Sequence, residues 1–193
     1  MDAPMISQRI DAGAGTHSLV AHADDVFARV SPYPGPGFRN HCLRLFLFTD
    51  MLLAREGTPL DRNVAYAVAL CHDLGLLSEQ DQGYCYLDRS VALFERETEG
   101  FDLGGTPRAL VEECLRYNHR LLPVADLSPQ ADAFRRAVQI EHTRGHLRFG
   151  LDREPVAAVF RAHPRADFDR VLLDFTRRVM TREPWTVVKG IFF

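Results

Sequence analysis

Lysine is almost missing from this chain of 193 residues. Lys189 is the only one, so arginine carries nearly all of the positive charge. The bias reads as genomic base composition rather than mechanism. A formal net charge of −3 leaves no global field to draw in a nucleic acid polymer or an anionic membrane surface. Bound phosphate would need a local arginine site. No apolar run is long enough for a membrane span, which needs roughly 20 residues. The most apolar stretch, Cys42 to Leu53, is about a dozen long and is broken by Arg44, Thr49 and Asp50, so a buried helix is expected. Met1 to Ile10 lacks the cationic stretch and apolar core of a secretory signal. Cys42, Cys71, Cys85 and Cys114 form no CxxC pair, and three of them fall in apolar helical patterns as small reduced core residues. A cytoplasmic protein without disulfides is the expectation. What is present, 46% hydrophobic and 25% charged residues, excludes intrinsic disorder and describes one globular domain.

Residues 1–16 are small and polar and read as a loose lead-in, 17–185 as the folded domain, and 186–193 as an apolar tail. Ser31-Pro32-Tyr33-Pro34-Gly35-Pro36-Gly37 cannot be helical, because its prolines and glycines break every turn. Helical periodicity predicts elements near Leu19–Val30, Phe38–Arg55, Asp61–His72, Leu87–Glu99, a segment opened by Thr106-Pro107, another opened by Ser128-Pro129 and closing near Gly145, then Glu154–Ala162 and Asp167–Met180. Gly75 is placed as a C-terminal helix glycine, and Thr106 as a hydroxyl cap before a proline at the first helical position. Only the tail, Thr186 to Phe193, hints at a period of two. The fold class is all-α, a single-domain helical bundle.

The informative residues are polar ones at positions where periodicity expects core. His41 sits on the first turn of the most apolar helix, and His72-Asp73 closes the next one. A buried imidazole and carboxylate without partners are costly, and metal coordination is one way to satisfy them. Two neutral nitrogens and a hard oxygen suit zinc, iron, manganese or nickel. An anion at a helix C-terminus is disfavoured by the macrodipole, so Asp73 also points to a nearby cation. Neighbouring helical side chains diverge by about 100°, so further ligands must come from other helices, a later carboxylate among them. Arg44, one turn after His41, is either a substrate clamp for phosphate or carboxylate or an ion-pair partner inside the bundle. His142 and His146 have the spacing of a zinc pair, but Gly145 separates them and no glutamate follows the first. Arg135-Arg136 and Arg177-Arg178 read as solvated faces. Ile191-Phe192-Phe193 is expected either to tuck against the bundle or to make a homo-oligomer contact.

The pattern Asn40-His41-Cys42-Leu43-Arg44, then Cys71-His72-Asp73-Leu74-Gly75-Leu76, then Phe134-Arg135-Arg136-Ala137-Val138-Gln139-Ile140-Glu141 resembles the HD-domain superfamily of metal-dependent phosphohydrolases. Order and helical placement look closest to the cyanamide hydratase-like subgroup, over about residues 35–150. The resemblance implies one divalent transition metal ion (Zn, Mn, Fe or Ni) held by His41, His72, Asp73 and a last carboxylate. Glu141 stands where the family has aspartate, with His142 and Asp132 as fallback ligands. Dinuclear members use two extra histidines before that carboxylate. Only His119 lies in that interval, so a single ion is expected and di-iron oxygenase chemistry is disfavoured. The implied function is hydrolysis of a small molecule, a phosphoester or nucleotide first, through a metal-activated water. The alternatives are a hydratase or other non-phosphate hydrolase, or a non-catalytic binding module with an altered site. Asp73 and His119 are the candidate catalytic residues; Arg44 and Asn118 are the candidate substrate contacts.

Overall fold

Three helix starts follow directly from capping side chains. Ser18 accepts from the Ala21 amide, Asp61 from those of Asn63 and Val64, and Ser128 from that of Ala131, each cap contributing about 1 kcal/mol. The computed structural model describes residues 18–78 and 84–186. Within them lie α1 (Leu19–Val30), α2 (Gly37–Glu56), α3 (Arg62–Cys71), a 3-10 turn (Leu74–Leu76), α4 (Tyr86–Glu97), α5 (Arg108–Tyr117), α6 (Pro129–His142), α7 (Arg153–Ala162) and α8 (Phe168–Arg182). No strand occurs among the described residues, and the fold is all-α. The lead-in and all of the apolar tail but Thr186 lie outside them.

Helix α2 is the hub, in contact with α3, α6, α7 and α8. Its sequence is apolar on most sides, and along its length Phe38, Cys42, Leu45 and Phe46 enter one core cluster while Phe48, Leu52 and Leu53 enter a second. The four cysteines are free thiols, three of them buried; burial pushes Cys71 and Cys114 up to about 12, so they are inert packing residues.

Several expectations need correction. Gly75 is not a left-handed helix cap: it sits inside the 3-10 turn, where an added Cβ would lie 2.1 Å from the Tyr86 carbonyl oxygen and 2.4 Å from the Ser90 amide. Its role is close approach, letting α4 pack onto the turn that carries Asp73. Thr106 does not cap α5, because Pro107 is the cap residue and makes no side-chain bond. Helix α6 ends at His142, with Thr143 as its cap. Arg135 is buried rather than solvated; it donates to Asp132 and to the carbonyls of Arg120 and Leu121, fixing the loop after α5.

Candidate functional site

Helices α2 and α8 meet at their N-termini. The Gly37 amide donates to Asp167 Oδ1 at 2.8 Å. A Cβ on Gly37 would stand 2.3 Å from the Phe168 amide nitrogen, so only glycine allows this approach. The consequence lies one turn on, where the Phe168 ring stacks on His41 at 4.1 Å between centroids and 11° between planes. His41 is thereby clamped, fully buried, with its two nitrogens directed to different partners.

His72 caps the C-terminus of α3, and its Nδ1 lies 2.8 Å from the Ala69 carbonyl. A carbonyl only accepts, so Nδ1 holds the proton and, in the neutral ring, the Nε2 lone pair is bare. His41 Nδ1 faces Glu141 Oε2 at 3.2 Å. Neither atom makes a well-angled hydrogen bond, so the contact is electrostatic, and Glu141 Oε2 also lies 4.0 Å from His142 Nε2. The His41 contact too favours the proton on Nδ1. The two bare Nε2 atoms then face each other at 3.2 Å, and Asp73 Oδ2 lies 3.0 Å from the His72 Nε2 and 3.8 Å from the His41 Nε2. Ligand atoms of His41, His72 and Asp73 all lie within 4.8 Å of one another. Two lone pairs at this separation repel unless a cation or a proton lies between them. Bonds of about 2.1 Å to one ion place neighbouring ligand atoms roughly 3.0–3.4 Å apart; two of the three separations fall in that range and the third, 3.8 Å, is wider but still short enough for one ion to span, so the donor set suits a single transition metal.

Charge follows the same geometry. Burial alone would raise the Asp73 carboxyl, but His72 and His119 outweigh it and hold the group well below the ordinary carboxylate range. Burial pushes His41 toward the neutral form, against Glu141. For His72, burial is outweighed by Asp73 and the Ala69 carbonyl, which favour the protonated ring.

The remaining candidate residues fall in three places. Glu141 is not among the clustered donors. It faces the opposite edge of the His41 ring, and its Oε1 accepts from Arg44 at 2.5 Å and Arg165 at 2.6 Å. Burial would raise its pKa, but His41 and Arg44 pull it far below the usual range. Arg44 is buried and donates also to the His163 carbonyl, so it binds the protein's own carboxylate. Asn118 is buried, donating to the Leu115 carbonyl, with its Oδ1 unpartnered. Asp132, in the first turn of α6, pairs with Arg135 and Arg136. His119, by contrast, lies beside the cluster, its Nε2 3.3 Å from Asp73 Oδ1.

His142 ranks higher than its sequence position suggested. Its ring lies 6.1 Å from that of His41 and 5.6 Å from that of His119. Solvent reaches 36% of the side chain through a cleft, yet surrounding protein, His119 and His41 lower its pKa. The cleft is a cavity of about 350 Å³ with Asp73, His119 and His142 at its polar end. Its other walls are mostly apolar, and α8 supplies Leu172, Phe175 and Val179. The sequence reading placed a helix there but singled out none of these three, because only the chain path shows what they face. Comparison with protein-family models, with curated proteins and with solved structures finds no match for this chain.

Proposed function

We propose that the protein is a mononuclear metal-dependent hydrolase or hydratase acting on a small molecule. One observation carries the reading: two buried histidines, each with Nδ1 directed to an acceptor, aim Nε2 at each other across 3.2 Å with an ionised carboxylate alongside. A divalent ion in that position would supply Lewis acidity and an activated water. Asp73 would offer Oδ2 to such an ion, while its Oδ1 lies against His119, so a proton taken up at Oδ1 would have a route to His119 Nε2 and the cavity. Glu141 acts through His41, orienting the ring as carboxylates behind metal-binding histidines do.

A phosphoester or nucleotide substrate has less support than a non-phosphate one. Arg44, the residue suited to a phosphate, is engaged by Glu141, and no arginine or lysine is among the described residues lining the cavity. A hydratase or non-phosphate hydrolase, the cyanamide hydratase-like alternative, is the reading favoured here. Elemental analysis of purified protein should find close to one transition metal per chain, and His72→Ala should abolish it. Protein that takes up no metal even from excess would leave only a non-catalytic binding module. Turnover of nitriles or cyanamide, without turnover of nucleotides and simple phosphoesters, would support the favoured chemistry; the reverse would restore the phosphoester.

A further inference from the structure

The cavity constrains its occupant beyond the reaction class. Leu172, Phe175 and Val179 stand at i, i+3 and i+7 on α8 and face it together, with Leu76 and Tyr86 also lining it. Phe175 and Val179 are buried even with the cavity empty of other atoms. The threonines of the lining offer little polarity: Thr176 donates to the Leu172 carbonyl and Thr186 to Glu183. The ionisable groups of the lining are Asp73, His119 and His142, which lie together, and Tyr86, whose ring is 6.0 Å from that of His119. A charged or strongly polar body would lose its hydration along α8 without gaining partners, whereas an apolar body would be drawn in.

Resting on the metal-hydrolase reading, we propose that the substrate is a neutral molecule with one polar reacting head and an apolar body, and that the Leu172–Phe175–Val179 face of α8 selects for that body. The cavity of about 350 Å³ lies at the small end of the range of small-molecule sites, which suits a short alkyl chain or one substituted ring.

The probes are straight-chain alkyl hydroxamates, from acetyl to octanoyl, titrated calorimetrically into zinc-loaded protein. The hydroxamate binds the ion and the chain reports the wall. Affinity should rise about fourfold per added methylene and level off once the cavity is full. Leu172→Gln, at a half-buried position, should flatten that rise, with the loss growing with chain length and smallest for acetohydroxamate. Thr176→Leu, at the exposed rim, should steepen it for the longer chains.

Wild-type affinity that does not change with chain length would overturn the proposal while leaving the metal centre intact. A rise that persists unchanged in both variants would overturn the assignment to α8. If the protein takes up no zinc, the metal reading fails on its own, and neutral alkyl amides titrated into the metal-free protein decide the apolar preference. Chain-length dependence lost in Leu172→Gln supports it, and none overturns it.

Discussion

At the scale of single residues, Glu141 separates two ways of building a metal site. It occupies the place of a last ligand in sequence, yet its carboxylate lies behind His41 between Arg44 and Arg165. A shorter side chain would withdraw from all three. Glu141→Asp should therefore weaken zinc affinity by about 10–100-fold, the usual effect of losing the partner behind a liganding histidine, as read by competition with a chromophoric chelator. Tighter binding in that variant would instead make residue 141 a ligand. Glu141→Gln leaves two buried or nearly buried guanidinium groups facing a neutral amide, and should cost about 3–5 kcal/mol of stability in urea. His41 and His72 add a prediction about protons. Without an ion, the pair accommodates a proton between its Nε2 atoms, favoured on His72. Metal uptake must then release it. Titrations in buffers of different ionisation enthalpy should show proton release on metal uptake that grows as pH falls, together with weaker binding. Affinity independent of pH between 5.5 and 7.5 would contradict the bridged pair.

Elements show why some of the molecule could be read in advance. The eight α-helices of the described residues were legible because caps and periodicity are local: Ser18, Asp61 and Ser128 act within three residues of themselves. His41, His72 and Asp73 were legible for the opposite reason, as polar side chains in runs that packing alone would fill with leucine. Roles fixed by distant partners were not legible. Gly75 looked like a helix stop, but what demands glycine there is the Tyr86 carbonyl of α4, eleven residues on. Arg165, which helps hold Glu141 away from the His41–His72–Asp73 cluster, lies in the α7–α8 connection, where nothing in the local sequence marks it. The corrected role of Gly75 is testable. Gly75→Ala forces α4 away from the turn bearing Asp73, so it should cost about 1–3 kcal/mol or more as overpacking does. Metal affinity should drop with it. A glycine needed only for flexibility would tolerate alanine with a small gain in stability, and urea unfolding distinguishes the two.

Carboxylates paired with histidine or arginine set the response of the whole molecule to acid. Asp73, Glu141 and Glu97 are all held below the ordinary carboxylate range. Burial opposes this in each, and histidine or arginine neighbours outweigh it. A depressed pKa in the fold means that the unfolded chain binds more protons in acid. The stability these groups contribute is complete above about pH 4.3 and is lost as pH falls toward their folded values. Each can add up to about 1.4 kcal/mol per pH unit to the slope. Asp169, largely exposed, adds little. A shallower loss should begin higher, near pH 6.5, because His41 and His142 are lowered in the fold and take up protons on unfolding. His72, whose pKa is raised, contributes with the opposite sign and keeps that upper limb gentle. The metal-free protein should therefore show a urea midpoint that declines slightly from pH 7 to 5 and steeply below about 4.3. In Glu141→Gln the steep limb should lose about one proton's worth of slope. A wild-type midpoint that stays level down to pH 3 would mean that the carboxylates around α2 are protonated in the fold, and the cluster could not then present an anionic ligand to a cation.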